Sequence, residues 1–269
     1  MRLATTTLTA VATATALAAT STLSPVATAE ETAPVPVVES GYVSWSIKDS
    51  FLRYLQGPIA KGSVTASEGL ETIKNNSGKI TDFKFPVDAE KTSINADGVG
   101  TIDLNGAIHF LGHKGHGGEA NKNGYGLDVK LWDFKVKLTE KEAVITVDYL
   151  SKGWNPGENK PFEDQKGDDV EFAKLPLTAP IKPAVNQTVT SESGNGSLAK
   201  GGVEAMMGFY EEGIEMAPAS FNVKFGEPVK PKDPAGSSLS TGGIIGIIVA
   251  LLALIGGGAF FANQLGFLK

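Results

Sequence analysis

The sequence predicts a mainly β fold: a single antiparallel β-rich domain with two short α-helices, followed by a C-terminal transmembrane helix. Three observations predict it. Glycines recur at positions 57, 62, 69, 78, 98, 100 and 106 between short β-branched runs, as turns between strands require. Apolar residues alternate with polar ones through 127–149 with one change of phase, the pattern of half-buried antiparallel strands. Helical spacing of apolar residues is confined to two short segments, and a long uncharged run lies near the C-terminus.

Taken in chain order, residues 44–58 form the first predicted helix. At about 100° per residue, Ile47, Phe51 and Leu55 make one apolar stripe. Ser50 and Tyr54 are four apart and lie side by side on its flank. Gly57-Pro58 ends the helix. Asn105-Gly106, between 101–104 and 107–111, predicts a tight type I′ hairpin. On its second strand Ile108 and Phe110 share one face; Ala107, His109, Leu111 and His113 share the other.

A second hairpin follows. Leu127, Val129 and Leu131 alternate, then the phase moves to Trp132, Phe134, Val136 and Leu138, which predicts a bulge near 131–132. Residues 139–142 turn the chain, and Ala143, Ile145, Val147 and Tyr149 return it. Residues 151–190, rich in proline and charge, read as loops and short strands. The second helix falls in 197–212, where Leu198, Val203, Ala205, Met206, Met207 and Tyr210 supply a stripe weakened by Gly201-Gly202. Residues 220–225 read as a last strand. Residues 227–241, rich in Pro, Lys, Gly and Ser, read as a solvated tether.

Both ends read as addresses. Residues 1–29 carry Arg2 and no acid, are rich in Ala, Thr and Leu, and close on Ala27-Thr28-Ala29. That is the pattern of a secretory signal peptide. Residues 242–262 hold no charge over a length that crosses a bilayer as a helix. The tail 263–269 ends in Lys269, whose sign agrees with a cytoplasmic side. The expectation is an exported protein, anchored in the cell membrane, with residues 30–226 outside as one domain. Its formal charge is −6, and −7 once Arg2 is removed. With no basic cluster, that argues against nucleic acid as a partner. No cysteine is present, so the exported domain must be held by its own core.

Few residues offer chemistry. The histidines cluster as His109, His113 and His116. They read as ordinary strand and loop residues, as three zinc ligands with water in the fourth position, or as support for a ligand supplied from elsewhere. No nucleophile elbow, phosphate loop, dinucleotide fingerprint or zincin helix is found, so an enzyme is not expected. Tyr54, on the edge of an apolar stripe, reads either as core or as a functional phenol whose hydroxyl needs partners.

Trp45-Ser46-Ile47-Lys48-Asp49-Ser50-Phe51-Leu52-Arg53-Tyr54 resembles the Trp-x-x-Lys-x-Ser-Phe-x-x-Tyr opening of the HtaA-type haem-binding domain of actinobacterial haem-uptake proteins. Gly57-Pro58-Ile59-Ala60 and Gly62-Ser63 fit as well, and Gly106-Ala107-Ile108-His109-Phe110-Leu111-Gly112-His113 is similar to the family's Gly-x-x-His-Phe-x-Gly-His strand. The resemblance spans residues 45–225, and the layout resembles the single-domain, membrane-anchored members.

It implies a β-rich fold binding one ferric b-type haem. Tyr54 would be the axial iron ligand, Ser50 a propionate contact, and a strand histidine the hydrogen-bond donor to the tyrosine, placed on His109 with His113, of the same strand parity, as the alternative. Tyr210 would lie against the porphyrin, with Tyr125 and Tyr149 as rivals. The implied partners are other cell-surface haem-binding proteins and a haem ABC importer towards which haem is relayed. The segment 114–126 is longer than the usual family loop. The absence of cysteine removes covalent c-type haem attachment. Two other functions compete: a structural or adhesive surface domain without haem, and a zinc-dependent surface hydrolase.

Overall fold

In the computed structural model, which describes residues 34–155 and 157–228, every pairing between strands is antiparallel. The predicted signal peptide, the transmembrane segment, the cytoplasmic tail and most of the tether lie outside the described residues.

The strands are β1 (Pro36–Trp45), β2 (Ser63–Ser67), β3 (Glu71–Lys74), β4 (Ile80–Pro86), β5 (Ser93–Ile94), β6 (Gly100–Asp103), β7 (Ala107–Lys114) and β8 (Tyr125–Leu138). They continue as β9 (Glu142–Asn155), β10 (Lys160–Pro161), β11 (Gln165–Pro176), β12 (Thr188–Glu192), β13 (Gly196–Leu198), β14 (Glu215–Met216) and β15 (Ala219–Pro228). The helices are α1 (Asp49–Leu55) and α2 (Lys200–Ala205). One sheet has the order β12-β15-β1-β4-β3. The other runs β14-β13-β11-β9-β8-β6-β5, with β7 also on β8, β2 on β7 and β10 on β9.

The two sheets face each other across an aromatic core. Trp45 of β1 meets Phe172 of β11 edge-on at 6.0 Å, Phe83 of β4 meets Phe110 of β7 at 6.3 Å, and Phe85 meets Phe134 of β8 at 4.7 Å. Edge-to-face and tilted contacts of this kind add to the large apolar area each ring removes from water.

The long hairpin forms as its alternation predicts. β8 and β9 pair from Leu127↔Gly153 to Leu138↔Ala143, closed by the Thr139 N–H bond to the Glu142 carbonyl. The bulge falls just beyond the phase change, between Trp132 and Lys135, with Asp133 in the left-handed region at φ 49°.

The Asn105-Gly106 hairpin does not form. β6 and β7 do not pair with each other; both lie along β8, β6 against 135–138 and β7 against 125–131. The Asn-Gly pair instead steps one line of backbone sideways. The Leu104 N–H bonds the Phe134 carbonyl, and the Asn105 N–H bonds the Pro86 carbonyl of the facing sheet. Gly106 takes φ 142° against Leu70, where a Cβ would come to 3.0 Å. Tertiary partners on both sides override the local turn preference.

Four further elements differ in extent from expectation. Both helices are shorter, because Trp45 belongs to β1 and Leu198 to β13. Residues 165–176 form the long strand β11, whose alternation is broken by register shifts after Gly167 and Glu171. β15 continues through Pro228, two residues into the segment read as tether.

Candidate functional site

Helix α1 is too short to be stable alone, so packing holds it. Asp49 in its first turn and Arg53 in its last complement the helix dipole. Phe51, Leu52 and Leu55 are buried, and Phe51 meets Phe110 edge-on at 5.1 Å. Gly112 of β7 lets the helix sit close: a Cβ there would come within 2.9 Å of the Leu55 side chain. Ile47, at φ 64°, turns the chain sharply out of β1 into the helix. With Phe51 and Leu55 inward, Ser50 and Tyr54 are left on an exposed flank, Tyr54 with 41% of its surface accessible.

β7 brings the histidines to that flank. Its last turn departs from regular strand at His113, which takes φ 56° while its N–H bonds the Ala60 carbonyl. The His113 Nε2 then lies 2.6 Å from the Tyr54 hydroxyl oxygen, a short hydrogen bond. Partial burial, and then the nearby His116, hold the His113 imidazole below its ordinary pKa, so the neutral ring is favoured.

His109 does not reach the tyrosine. Its Nε2 pairs with the Asp128 carboxylate of β8 at 2.6 Å. Strand parity put His109 and His113 on one face; the left-handed residue at 113 and the separate carboxylate partner distinguish them. Nor do the three imidazoles converge on a common metal position among the described residues. His109 is taken by Asp128, and the His113 and His116 rings lie stacked, 25° apart in plane with centroids at 5.5 Å.

Tyr210, in the turn after α2, is half-buried and meets Phe51 edge-on at 6.4 Å. The Lys48 ammonium lies 5.4 Å from the centre of its ring. Burial, and then its neighbour Tyr54, push the Tyr210 phenol up from its usual pKa. Tyr210 therefore belongs to the same end of the molecule as Tyr54. Tyr149 does not: it is buried on β9 opposite Leu131. Tyr125 opens β8 opposite Lys114. Beside Ser50 an open cleft of about 340 Å³ is lined by Lys48, Arg53, Asn195, Glu215 and Pro218.

Residue reasoning passed over Lys48 and Asp128, whose roles depend on strands distant in sequence. A second polar cluster lies at the β8 bulge, where oxygens of Asp133, Asp148 and Asp169 come within 4.8 Å of one another. There the chain supplies its own cation: Lys135 Nζ donates to both Asp133 and Asp169 at 2.7 Å.

The family model for HtaA (Htaa) matches residues 40–222. The chain belongs to the HtaA family. The N-terminal domain of HtaA from Corynebacterium glutamicum is 25% identical, with a TM-score of 0.59, covering 71% of this chain and 99% of that one. The haem-binding protein HtaB of the same organism is 27% identical, with a TM-score of 0.57, covering 72% of this chain and 97% of that one. The C-terminal domain of HtaA, 22% identical with a TM-score of 0.53, covers 70% and 98% and shares the fold. No curated protein matches the chain significantly.

Proposed function

We propose that this HtaA-family domain binds ferric haem as cargo, with Tyr54 as the iron ligand, and carries out no catalysis. The observation that carries the reading is the Tyr54–His113 pair: a phenol exposed enough to meet a ligand, yet aimed by a 2.6 Å hydrogen bond.

The residues suit the group. A phenolate is a hard, anionic oxygen donor, and tyrosinate is an established haem ligand. A free phenol ionises near pH 10, so iron has to displace its proton. The neutral imidazole is placed to help. While the phenol donates to His113 Nε2, the ring carries its own proton on Nδ1. The proton that iron displaces from the phenol would pass to Nε2 and the Nδ1 proton would leave to solvent, so that the still neutral ring would donate Nε2–H to the phenolate oxygen and fix its direction, as outer groups do around metal ligands. Ser50, one turn before Tyr54, would meet a propionate from the same rigid helix, with the adjoining cleft receiving that polar edge. Tyr210 would lie against the porphyrin, its ring held by Phe51 and Lys48. His109, engaged by Asp128, has no part in this arrangement.

Export by the N-terminal segment and anchoring by residues 242–262 would place this domain outside the cell membrane. Haem would be received from other surface haem-binding proteins and relayed towards a haem importer. The test is the visible spectrum of the purified protein after haem addition. A Soret band and a ferric tyrosinate signature are expected, and Tyr54→Ala removes both. Normal haem binding by Tyr54→Ala would end the assignment.

A further inference from the structure

We propose that His116 is a positioning residue: its imidazole backs His113 and holds that ring in the orientation that bonds Tyr54. The inference rests on the Tyr54 reading above and concerns the loop 114–126.

His113 needs such a support. A non-glycine residue in the left-handed region does not inherit the side-chain direction of a strand, so its ring is aimed by neighbours. Two rings neighbour it: Tyr54, tilted, with centroids 5.7 Å apart, and His116, nearly parallel, at 5.5 Å. That separation and the small interplanar angle fit an offset stack. Two parallel imidazoles do not point their lone pairs at one position, so the pair is built as a stack and not as a chelate.

The loop that delivers His116 is closed by its own bonds. The His116 N–H donates to the His113 carbonyl at 3.1 Å, and the Gly115 N–H donates to the Gly124 carbonyl at 2.8 Å. The buried Asn121 amide donates to the His116 and Tyr125 carbonyls at 2.7 and 2.9 Å. Gly117, at φ 84°, lies directly on the Trp154 ring. Both histidines lie over Gly126, where a Cβ would come within 2.9 Å of the His113 Cβ and 3.0 Å of the His116 Nδ1. Every one of these contacts fixes where His116 stands, although the residue itself is exposed.

The experiment uses the full-length protein labelled with ¹⁵N-histidine, since three histidines give an assignable spectrum. In the haem-free protein His113 is expected in one fixed tautomer. His116→Ala should average its two nitrogens, and His116→Phe, which keeps a flat ring, should restore the fixed state. With haem bound, transfer to a scavenging apoprotein should speed up by roughly threefold to tenfold in His116→Ala, and fall back in His116→Phe; this lies at or below the low end of the roughly 10–100-fold losses seen when direct supports of metal ligands are removed, because His116 acts through His113. Unchanged His113 signals and transfer rate in His116→Ala would overturn the proposal, as would a His116→Phe protein no better than His116→Ala. A wild-type protein with no Soret band would sink the haem reading alone, because the histidine spectrum decides the positioning role without haem.

Discussion

The tyrosine site and the acidic cluster lie on neighbouring strands and are made by the same device. Each gathers polar side chains where a non-glycine residue takes a left-handed backbone, His113 at the end of β7 and Asp133 in the bulge of β8. What they do with those groups differs. The acidic cluster encloses its own counter-ion, with Lys135 bonded to two carboxylates and Asp103 opposite it across the ladder. The tyrosine site gathers aromatic rings around a phenol that stays 41% exposed. A cluster that carries its own cation is a structural joint. A phenol that is aimed but uncovered still has room for a ligand.

The largest expected effect breaks that comparison at one atom. Tyr54→Phe keeps the ring and removes the hydroxyl, and haem affinity should fall by more than about a hundredfold, beyond the loss that outer supports produce. Titration followed by the Soret band measures it. The next effect separates the two histidines of β7. His113→Ala should speed haem loss on the order of tenfold, whereas His109→Ala, whose partner is Asp128, should leave the rate unchanged. Equal effects from both would mean that the site senses the strand as a whole and not the Tyr54 bond.

Much of this site was legible in the sequence because it is local. Ser50 and Tyr54 share a flank by helical spacing alone, and the β8–β9 hairpin follows from alternation. The choice between His109 and His113 was not legible, since both satisfy the same strand parity. It turns on a φ of 56° and on a carboxylate 19 positions away. The Asn105-Gly106 step was misread for a related reason. An Asn-Gly pair carries a turn preference, yet whether it closes a hairpin or steps along a third strand depends on β8 and β4. Strand β11 was hidden because two register shifts break its alternation and charges occupy its outer face.

A smaller effect tests the other side of the comparison. Lys135→Ala leaves Asp133, Asp148 and Asp169 facing one another without their cation. The partly exposed setting limits the cost to about 1 kcal/mol, read as a lower melting temperature. Haem binding should be retained, because nothing in the tyrosine site touches Lys135. Loss of haem binding in that variant would show that the bulge of β8 sets the geometry at the end of β7.

The smallest effect is one of sign, measured on the haem-free protein. Burial holds His113 below its ordinary value of 6.5, so its neutral form is favoured in the folded state. Above about pH 6.5 neither state binds that proton and its contribution is complete. As pH falls below 6.5 the unfolded chain takes up the proton first, so stability declines until the folded value is passed. Asp103 and Asp148 run the other way. Burial raises both above 3.8, so the penalty of ionising them in the fold is relieved as pH drops through their folded values. Acid should therefore loosen the tyrosine end while it relaxes the carboxylate end. Comparing wild type with His113→Ala between about pH 7 and 5 isolates the first slope, which should be shallower in the variant. A slope unchanged by His113→Ala would place the acid sensitivity outside the tyrosine site.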